Sequence, residues 1–385
     1  MMNQSGILDG IRVFDATQYM VGPWASMLLG FLGAEVLHIE HPEIDWSALS
    51  ARVPPTVNGT SIAYIAWNMN KKGVGIDFKN EEDLAFAYRL IETCDVFVCN
   101  MRPQVVDRLG LGYEKLKEIN PRLVYCYGSG FGRVGPRSKD PAVDNIMQSL
   151  TGSWAAQGKR DGIGELYRHY AQIDAVTGNI LAQAALMGIY ARKRTGKGQR
   201  IDVTMLDAAA HYQLPRLAEH FSGEVHQPRG SSAFSTAPDR AFCCEDGRWI
   251  GVSVRSDKDW EKICGVLPEL QLASDSRFTS NVHRVENRII LEDILVRHFQ
   301  TKPRDYWEFL LSKADVPWGS PMRWDELRYH SQVRDNNYIV EINTSVWGRL
   351  WSGGAPWRFS KADLEVIGPP IPGSDTYALK EEMEG

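Results

Sequence analysis

The chain has 385 residues, a length that suits two domains better than a single core. Its 43% hydrophobic and 24% charged content is that of an ordinary globular protein, and a net charge of −5 provides no basic field for nucleic acid. Six cysteines (Cys94, Cys99, Cys126, Cys243, Cys244 and Cys264) form neither a C-x-x-C pair nor a zinc-spaced group, so no metal is expected and the thiols read as reduced and cytoplasmic. No run of eighteen apolar residues exists to span a membrane, and the first ten residues lack the features of a signal peptide.

In chain order, residues 11–15 (IRVFD) predict a strand and 22–32 (GPWASMLLGFL) a helix, with Pro23 in the first turn where its missing N–H is tolerated. Residues 35–40 (EVLHIE) alternate as a strand, and a strand–helix–strand unit favours a parallel sheet. The alternation continues: helix 81–93, strand 95–100, short helices 105–109 and 113–119, and strand 123–128 running into a glycine-rich turn. A long amphipathic helix is predicted over 174–194, then strand 200–203 and helix 205–221. After Gly223 the composition shifts. Residues 227–239 read as a loop, 241–254 as a hairpin turning at Asp246-Gly247, and 257–267, 286–299 and 304–313 as helices. The predicted fold class is α/β. A doubly wound, mostly parallel large domain (1–222) is followed by a linker and smaller α+β domain (223–335), then a return segment (336–385). The proline- and glycine-rich stretch 353–372 is expected to wrap over the surface without building a core.

Gly130-Phe-Gly-Arg-Val-Gly135 fits G-x-G-x-x-G after a strand, but Pro136 and Pro141 leave no helix in the required place, so a nicotinamide site is not expected. Asp174 stands at the predicted start of the long helix. An N-cap is its ordinary role, and a helix N-terminus is expected to hold its carboxylate ionised, as a nucleophile must be. Gln18 follows the first strand, at the edge where open parallel sheets receive ligands, and its amide can donate to an oxyanion. Lys71, Lys72, Arg102, Arg108, Arg133, Arg137 and Lys139 recur near predicted strand ends, compatible with a polyphosphate ligand. His169 reads as an ordinary surface or core histidine, and no G-x-S-x-G elbow marks a hydrolase.

At these residues the chain resembles the family III CoA-transferases, the group of formyl-CoA and carnitine-CoA transferases. The motifs that carry the resemblance are LDGIRVFDATQYMVGPWASMLLGFLGAEVLHIEHP, WNMNKKGVGIDFKN, NMRPQVVDRLGLGYEKLKEINPRLVYCYGSGFGRVGP and IDAVTGNILAQAALMGIYARKRTGKGQRIDVTMLDA, in that order. The resemblance implies Asp174 as nucleophile and Gln18 as a contact to the acyl carbonyl region. It further implies that Asn70, Lys72, Asn100, Met101, Arg102 and Arg108 bind coenzyme A, supplied as acyl-CoA, and Lys139, one of the cations near a predicted strand end, is taken with them. It implies an interlocked dimer too, either of identical chains or with a homologous subunit. Three departures stand out. His38 replaces a common lysine contact to the nucleotide. Only Arg229-Gly-Ser-Ser232 remains of a glycine-rich loop, which argues against formyl or oxalyl groups. Residues 315–321 (DVPWGSP) replace the phrase GVPCGPV. The nearest alternative, an α-methylacyl-CoA racemase, needs a histidine where Val143 precedes Asp144.

Overall fold

The structure, a computed structural model, describes residues 6–43, 55–160, 162–166, 170–223, 228, 230–267 and 271–384. Short apolar runs separated by helical patterns become six parallel strands: β1 (Arg12–Ala16), β2 (Glu35–Glu40), β3 (Lys72–Gly75), β4 (Val96–Cys99), β5 (Val124–Ser129) and β6 (Arg200–Thr204). Their order across the sheet is β3-β2-β1-β4-β5-β6. The chain leaves β1 for β2 on one side and later returns to β4 on the other, so strand order reverses between β1 and β4.

Because successive strand residues face opposite sides, each strand feeds two cores. Val13, Val36, Val96, Val98, Val124 and Cys126 point to one face, where they pack with α1 (Val21–Phe31) and the long helix Gln172–Thr195. Phe14, Leu37, Phe97, Cys99, Tyr125 and Tyr127 point to the other, beneath helix Glu81–Thr93. On that face the rings of Phe14, Phe97 and Tyr125 stack across β1, β4 and β5, with centroids 5.5 and 4.8 Å apart. Both sheet faces are therefore covered, as all-parallel sheets require.

Two compact units are present. The first holds the parallel sheet and comprises 1–153, 166–224 and 331–385; the second comprises 154–165 and 225–330. The boundaries drawn from sequence did not foresee that 154–165 belongs to the second unit. It is held there by Arg160, which pairs with Glu292; this buried carboxylate also takes Arg240 (2.9 Å) and Ser232 (2.9 Å). The second unit carries an antiparallel sheet of Asp239–Cys243, Trp249–Ser253 and Trp318–Gly319, with Phe242, Trp260, Phe299 and Trp307 in its core. The predicted helix 205–221 breaks in two at Gln213, with Pro215 in the first turn of the second piece.

The stretch 353–372 does more than wrap the surface: Ala355 joins the first core, and Trp357, Leu364 and Val366 pack against it. Hairpin strands Ile339–Thr344 and Gly348–Gly353 contribute Ile342 and Leu350 to the first core, joined by Trp347 and Ala355, and Leu379 of helix Thr376–Glu384 enters the second. Prolines and glycines rule out regular elements here but not burial, because side chains satisfy the backbone. The Arg358 guanidinium donates to the carbonyls of Ala355, Trp357, Asn336 and Asn337. All six cysteines are free, five of them buried. No described helix is long and apolar enough to cross a membrane.

Candidate active site

Strand order reverses between β1 and β4, and in open parallel sheets the carboxyl edge at such a reversal is where ligands are usually received. Gln18 and Asn100 meet there. The Asn100 side chain accepts from the Gln18 N–H (2.8 Å) and donates to the Gln18 carbonyl (2.7 Å), which fixes the Gln18 backbone and leaves its side chain exposed. Tyr19 next to it adopts φ +64°, a conformation that non-glycine residues adopt rarely and mostly near functional sites. α1 begins two residues later, and Gly22 in its first turn lies so close to Thr17 that a Cβ there would stand 2.3 Å from the Thr17 Cβ.

The long helix Gln172–Thr195 packs along α1. A side chain at Gly178 would stand 2.8 Å from the Val21 carbonyl, so only glycine permits this approach. That contact lies one turn beyond Asp174, so the first turn of the long helix sits beside the first turn of α1, at the same carboxyl edge. Trp24 lines the contact with a buried indole N–H that has no partner among the described residues.

Asp174 itself is half-buried and is the third residue of its helix, not the cap. The Ala171 cap makes no side-chain bond, and the open N–H groups of the first turn are met from another helix. Asp144, first residue of helix Asp144–Leu150, accepts from the N–H of Ile173 (2.7 Å) and of Asp174 (3.3 Å), while its other oxygen accepts from Gln148 Nε2 (2.5 Å). This reverses the electrostatic expectation. Burial, and then the Asp144 carboxylate, push the Asp174 carboxyl up to about 7. Burial and the charges of Asp174 and Asp144 also raise the Tyr170 phenol, which places it close to the same pair. Neither Asp144 nor Tyr170 was singled out from sequence. Asp144 could have been found as an acidic helix start behind Pro141; Tyr170 carries no such signal.

The cationic candidates separate into two sets. Arg102 and Arg108 flank helix Pro103–Arg108, which leaves β4 at the carboxyl edge, and Lys139 lies in the turn after β5. All three are exposed, and none has an acidic partner among the described residues. Met101 beneath them packs against the core, and its carbonyl accepts from the Tyr127 hydroxyl (2.8 Å). Arg133 stands 4.0 Å from Asp107, and Arg137 pairs with Asp140 (2.7 Å) while covering the Phe131 ring.

The remaining candidates do not join this edge. Lys72 starts β3 at the amino end of the strands and pairs with Glu35 (2.5 Å). Asn70 ties down the return segment, donating to the Glu365 carbonyl (2.8 Å) and accepting from the Ile367 N–H (2.7 Å). Lys71 is wholly buried on Asp15 (2.9 Å), so it is no surface cation. His38 points into the same buried group, with Nδ1 2.9 Å from Asp15, and has no outward face for a nucleotide. His169, Gln227 and Arg229 lie outside the described residues. A cavity of about 430 Å³ is lined only by residues 337–366 of the return segment and includes none of the carboxyl-edge groups.

A family model described as CoA-transferase family III matches residues 8–376. The chain is 31% identical to the succinyl-CoA:glutarate CoA-transferase of Mus musculus over 378 residues, covering 98% of this chain and 86% of that protein. It is also 31% identical to the acetyl-CoA:oxalate CoA-transferase of Acetobacter aceti, covering 98% and 96% respectively. A CAIB/BAIF family protein from Brucella suis superposes with a TM-score of 0.86 at 28% identity, covering 98% of this chain and all of that one. The chain therefore belongs to CoA-transferase family III and is an enzyme that transfers coenzyme A.

Proposed function

We propose that the enzyme moves coenzyme A between an acyl-CoA and a free carboxylic acid through covalent adducts on Asp174. The observation that carries this reading is a half-buried carboxyl at the sheet's carboxyl edge, pushed up to about 7 by burial and Asp144. Such a group is more basic than an ordinary aspartate yet still ionises near neutrality, as a carboxylate nucleophile should. Asp174 attacks the thioester carbonyl, forming an aspartyl–acyl anhydride and expelling the CoA thiolate. The thiolate then attacks the aspartyl carbonyl, giving an aspartyl–CoA thioester and releasing the donor acid. The acceptor carboxylate attacks that thioester, re-forming an anhydride and freeing thiolate. The thiolate takes the new acyl group, and the Asp174 carboxylate is restored.

Arg102, Arg108 and Lys139 are proposed to bind the coenzyme A phosphates, because exposed cations without acidic partners are free to receive them. Held by its nucleotide, the thiolate stays near the reacting carbon between steps. The Gln18 side-chain amide is proposed to face the acyl oxygen as its negative charge develops. Asn70 and Lys72 are left out of this reading because both already serve other contacts at the opposite edge. Succinyl-CoA is the proposed donor. The similar enzymes named above differ in both donor and acceptor, so acceptor acids are to be screened with succinyl-CoA and with acetyl-CoA, short dicarboxylic and aromatic acids first.

The test is to trap the adduct. Incubation with succinyl-CoA followed by borohydride or hydroxylamine is expected to modify Asp174 alone, read by peptide mass spectrometry. The paired changes Arg102→Ala and Arg108→Ala are expected to raise the succinyl-CoA concentration needed for half-labelling by about 10-fold or more. Modification of another residue, or none, removes the covalent mechanism.

A dimer of identical chains in the cytoplasm is also proposed. Support for the dimer comes from exposed apolar side chains on two stretches of the first unit: Met187 and Tyr190, then Tyr212, Leu214 and Phe221. Sedimentation of the purified chain is expected to give twice its monomer mass; a monomer that is fully active counts against the assembly.

A further inference from the structure

Beneath the Gln18 turn lies a buried polar group that the proposed chemistry does not use. Asp15, near the end of β1, is wholly inaccessible to solvent. One of its oxygens accepts from the Thr17 hydroxyl (2.5 Å). The other accepts from Ser26 Oγ of α1 (2.6 Å) and from Lys71 Nζ (2.9 Å), and faces His38 Nδ1 (2.9 Å). Lys71 goes on to Asn68 (2.8 Å), and His38 Nε2 stands 3.5 Å from Glu40.

An ion pair in a core is a weak device for stability, since an apolar pair of similar volume often serves as well. The sheet does not need this one, because the neighbouring strand positions are filled by Val13, Phe14 and Leu37. What the group does is fix a loop. Thr17 is held on one side by Asp15 and pressed on the other against Gly22 of α1. Ser26, one turn further along α1, is drawn to the same carboxylate. Thr17 is thus anchored from below by Asp15 and Gln18 from the side by Asn100, and Tyr19 directly after these two anchors takes a positive φ. Strained backbone of this kind persists only where the surroundings over-determine it.

We propose that Asp15, acting through the Thr17 hydroxyl, is a positioning residue that sets the turn 17–20 and with it the placement of Gln18 against the reacting carbonyl. The inference rests on the carboxyl edge around Gln18 and Asp174 being the active site. It predicts a loss of turnover at unchanged acyl-CoA affinity.

The informative change is Thr17→Val, which keeps the branched shape against Gly22 and removes only the hydroxyl, leaving Asp15 its bonds to Lys71, His38 and Ser26. Steady-state kinetics of the purified full-length enzyme with succinyl-CoA and an acceptor acid are expected to show kcat lowered on the order of 100-fold, the size of loss that misplacement by about 1 Å brings. KM for succinyl-CoA is expected to stay near the parent value, the urea midpoint to fall because a buried Asp15 oxygen loses its donor, and Thr17→Ser to restore most of kcat and of the midpoint. Should Thr17→Val not fold, Ser26→Ala removes the other hydroxyl from the same carboxylate and is expected to lower kcat about 10-fold. A kcat close to the parent's overturns the inference. So does a rise in KM alone, which would make the turn a binding element, or a Thr17→Ser variant as impaired as the valine, which would implicate packing. Borohydride labelling of the parent keeps the two proposals apart: a labelled parent with a fully active Thr17→Val variant rejects the positioning role only, whereas an unlabelled parent rejects the covalent mechanism.

Discussion

Asp174→Asn is expected to abolish transfer while making the protein more stable at pH 8. The loss follows from chemistry: an amide cannot attack a thioester, and removing a covalent nucleophile typically lowers turnover by 10⁴-fold or more, with ~10⁶ reached where nucleophile and base act as a unit. The gain follows from linkage. The Asp174 carboxyl is raised in the folded protein from 3.8 to about 7, chiefly by burial and then by Asp144. A carboxyl raised in this way favours the folded state fully below its unfolded value, and that contribution is lost as pH climbs through the folded value. At pH 8 the folded parent must hold a half-buried negative charge beside a second one, a penalty of a few kcal/mol, with each pKa unit worth about 1.4 kcal/mol. Asparagine fills the same space and never carries that charge. Urea titrations of parent and variant are expected to differ most at pH 8 and by roughly half as much at pH 5, where the unfolded carboxyl still ionises but the folded one does not. Equal stability across that range would mean that Asp174 is solvated like a surface aspartate. A variant retaining even a few per cent of parental transfer would remove Asp174 from the mechanism.

Sequence patterning revealed the parallel sheet because it is a matter of period. Runs such as Val13–Ala16 and Val96–Cys99 are buried on both faces, and the helices between them carry clear start signals such as Asn80, whose side chain accepts from the N–H groups of Glu82 and Asp83. The stretch 353–372 was misjudged because no period marks it. Ala355 reaches the first core, and Trp357, Leu364 and Val366 pack against it from irregularly spaced positions. The charges failed for a different reason, since a lysine in a sequence carries no sign of burial. Lys71 and Lys72 are neighbours, yet one is inaccessible on Asp15 and the other is half-exposed on Glu35, a split decided by strand facing and by partners distant in sequence. The same limit hid Asp144, whose contact with Asp174 spans thirty positions of chain.

Asp144→Asn provides the sharpest test of how the nucleophile is tuned. An asparagine Oδ1 can still accept the N–H groups of Ile173 and Asp174, so the start of the long helix keeps its partner while the negative charge is lost. Burial, the larger cause, continues to raise Asp174, so its pKa is expected to fall below 7 without returning to 3.8. The acid limb of kcat/KM is then expected to move down from about pH 7 by roughly one unit, as when one member of a carboxylate pair is neutralised. Asp144→Ala is expected to move that limb similarly but also to lower stability by about 1 kcal/mol, because the open N–H groups lose their acceptor. A limb that stays in place in both variants would show that Asp144 has no electrostatic hold on its neighbour. The consequence reaches beyond pH. Each covalent intermediate, anhydride or thioester, converts Asp174 from an anion into a neutral acyl group. The burial and repulsion that oppose its charge therefore favour the adduct over the free carboxylate by the same free energy that raises the pKa. Removing the Asp144 charge should thus weaken the drive toward the adduct, and at saturating succinyl-CoA the fraction of Asp174 trapped by borohydride is expected to drop even at pH 8, where Asp174 is mostly ionised in both enzymes.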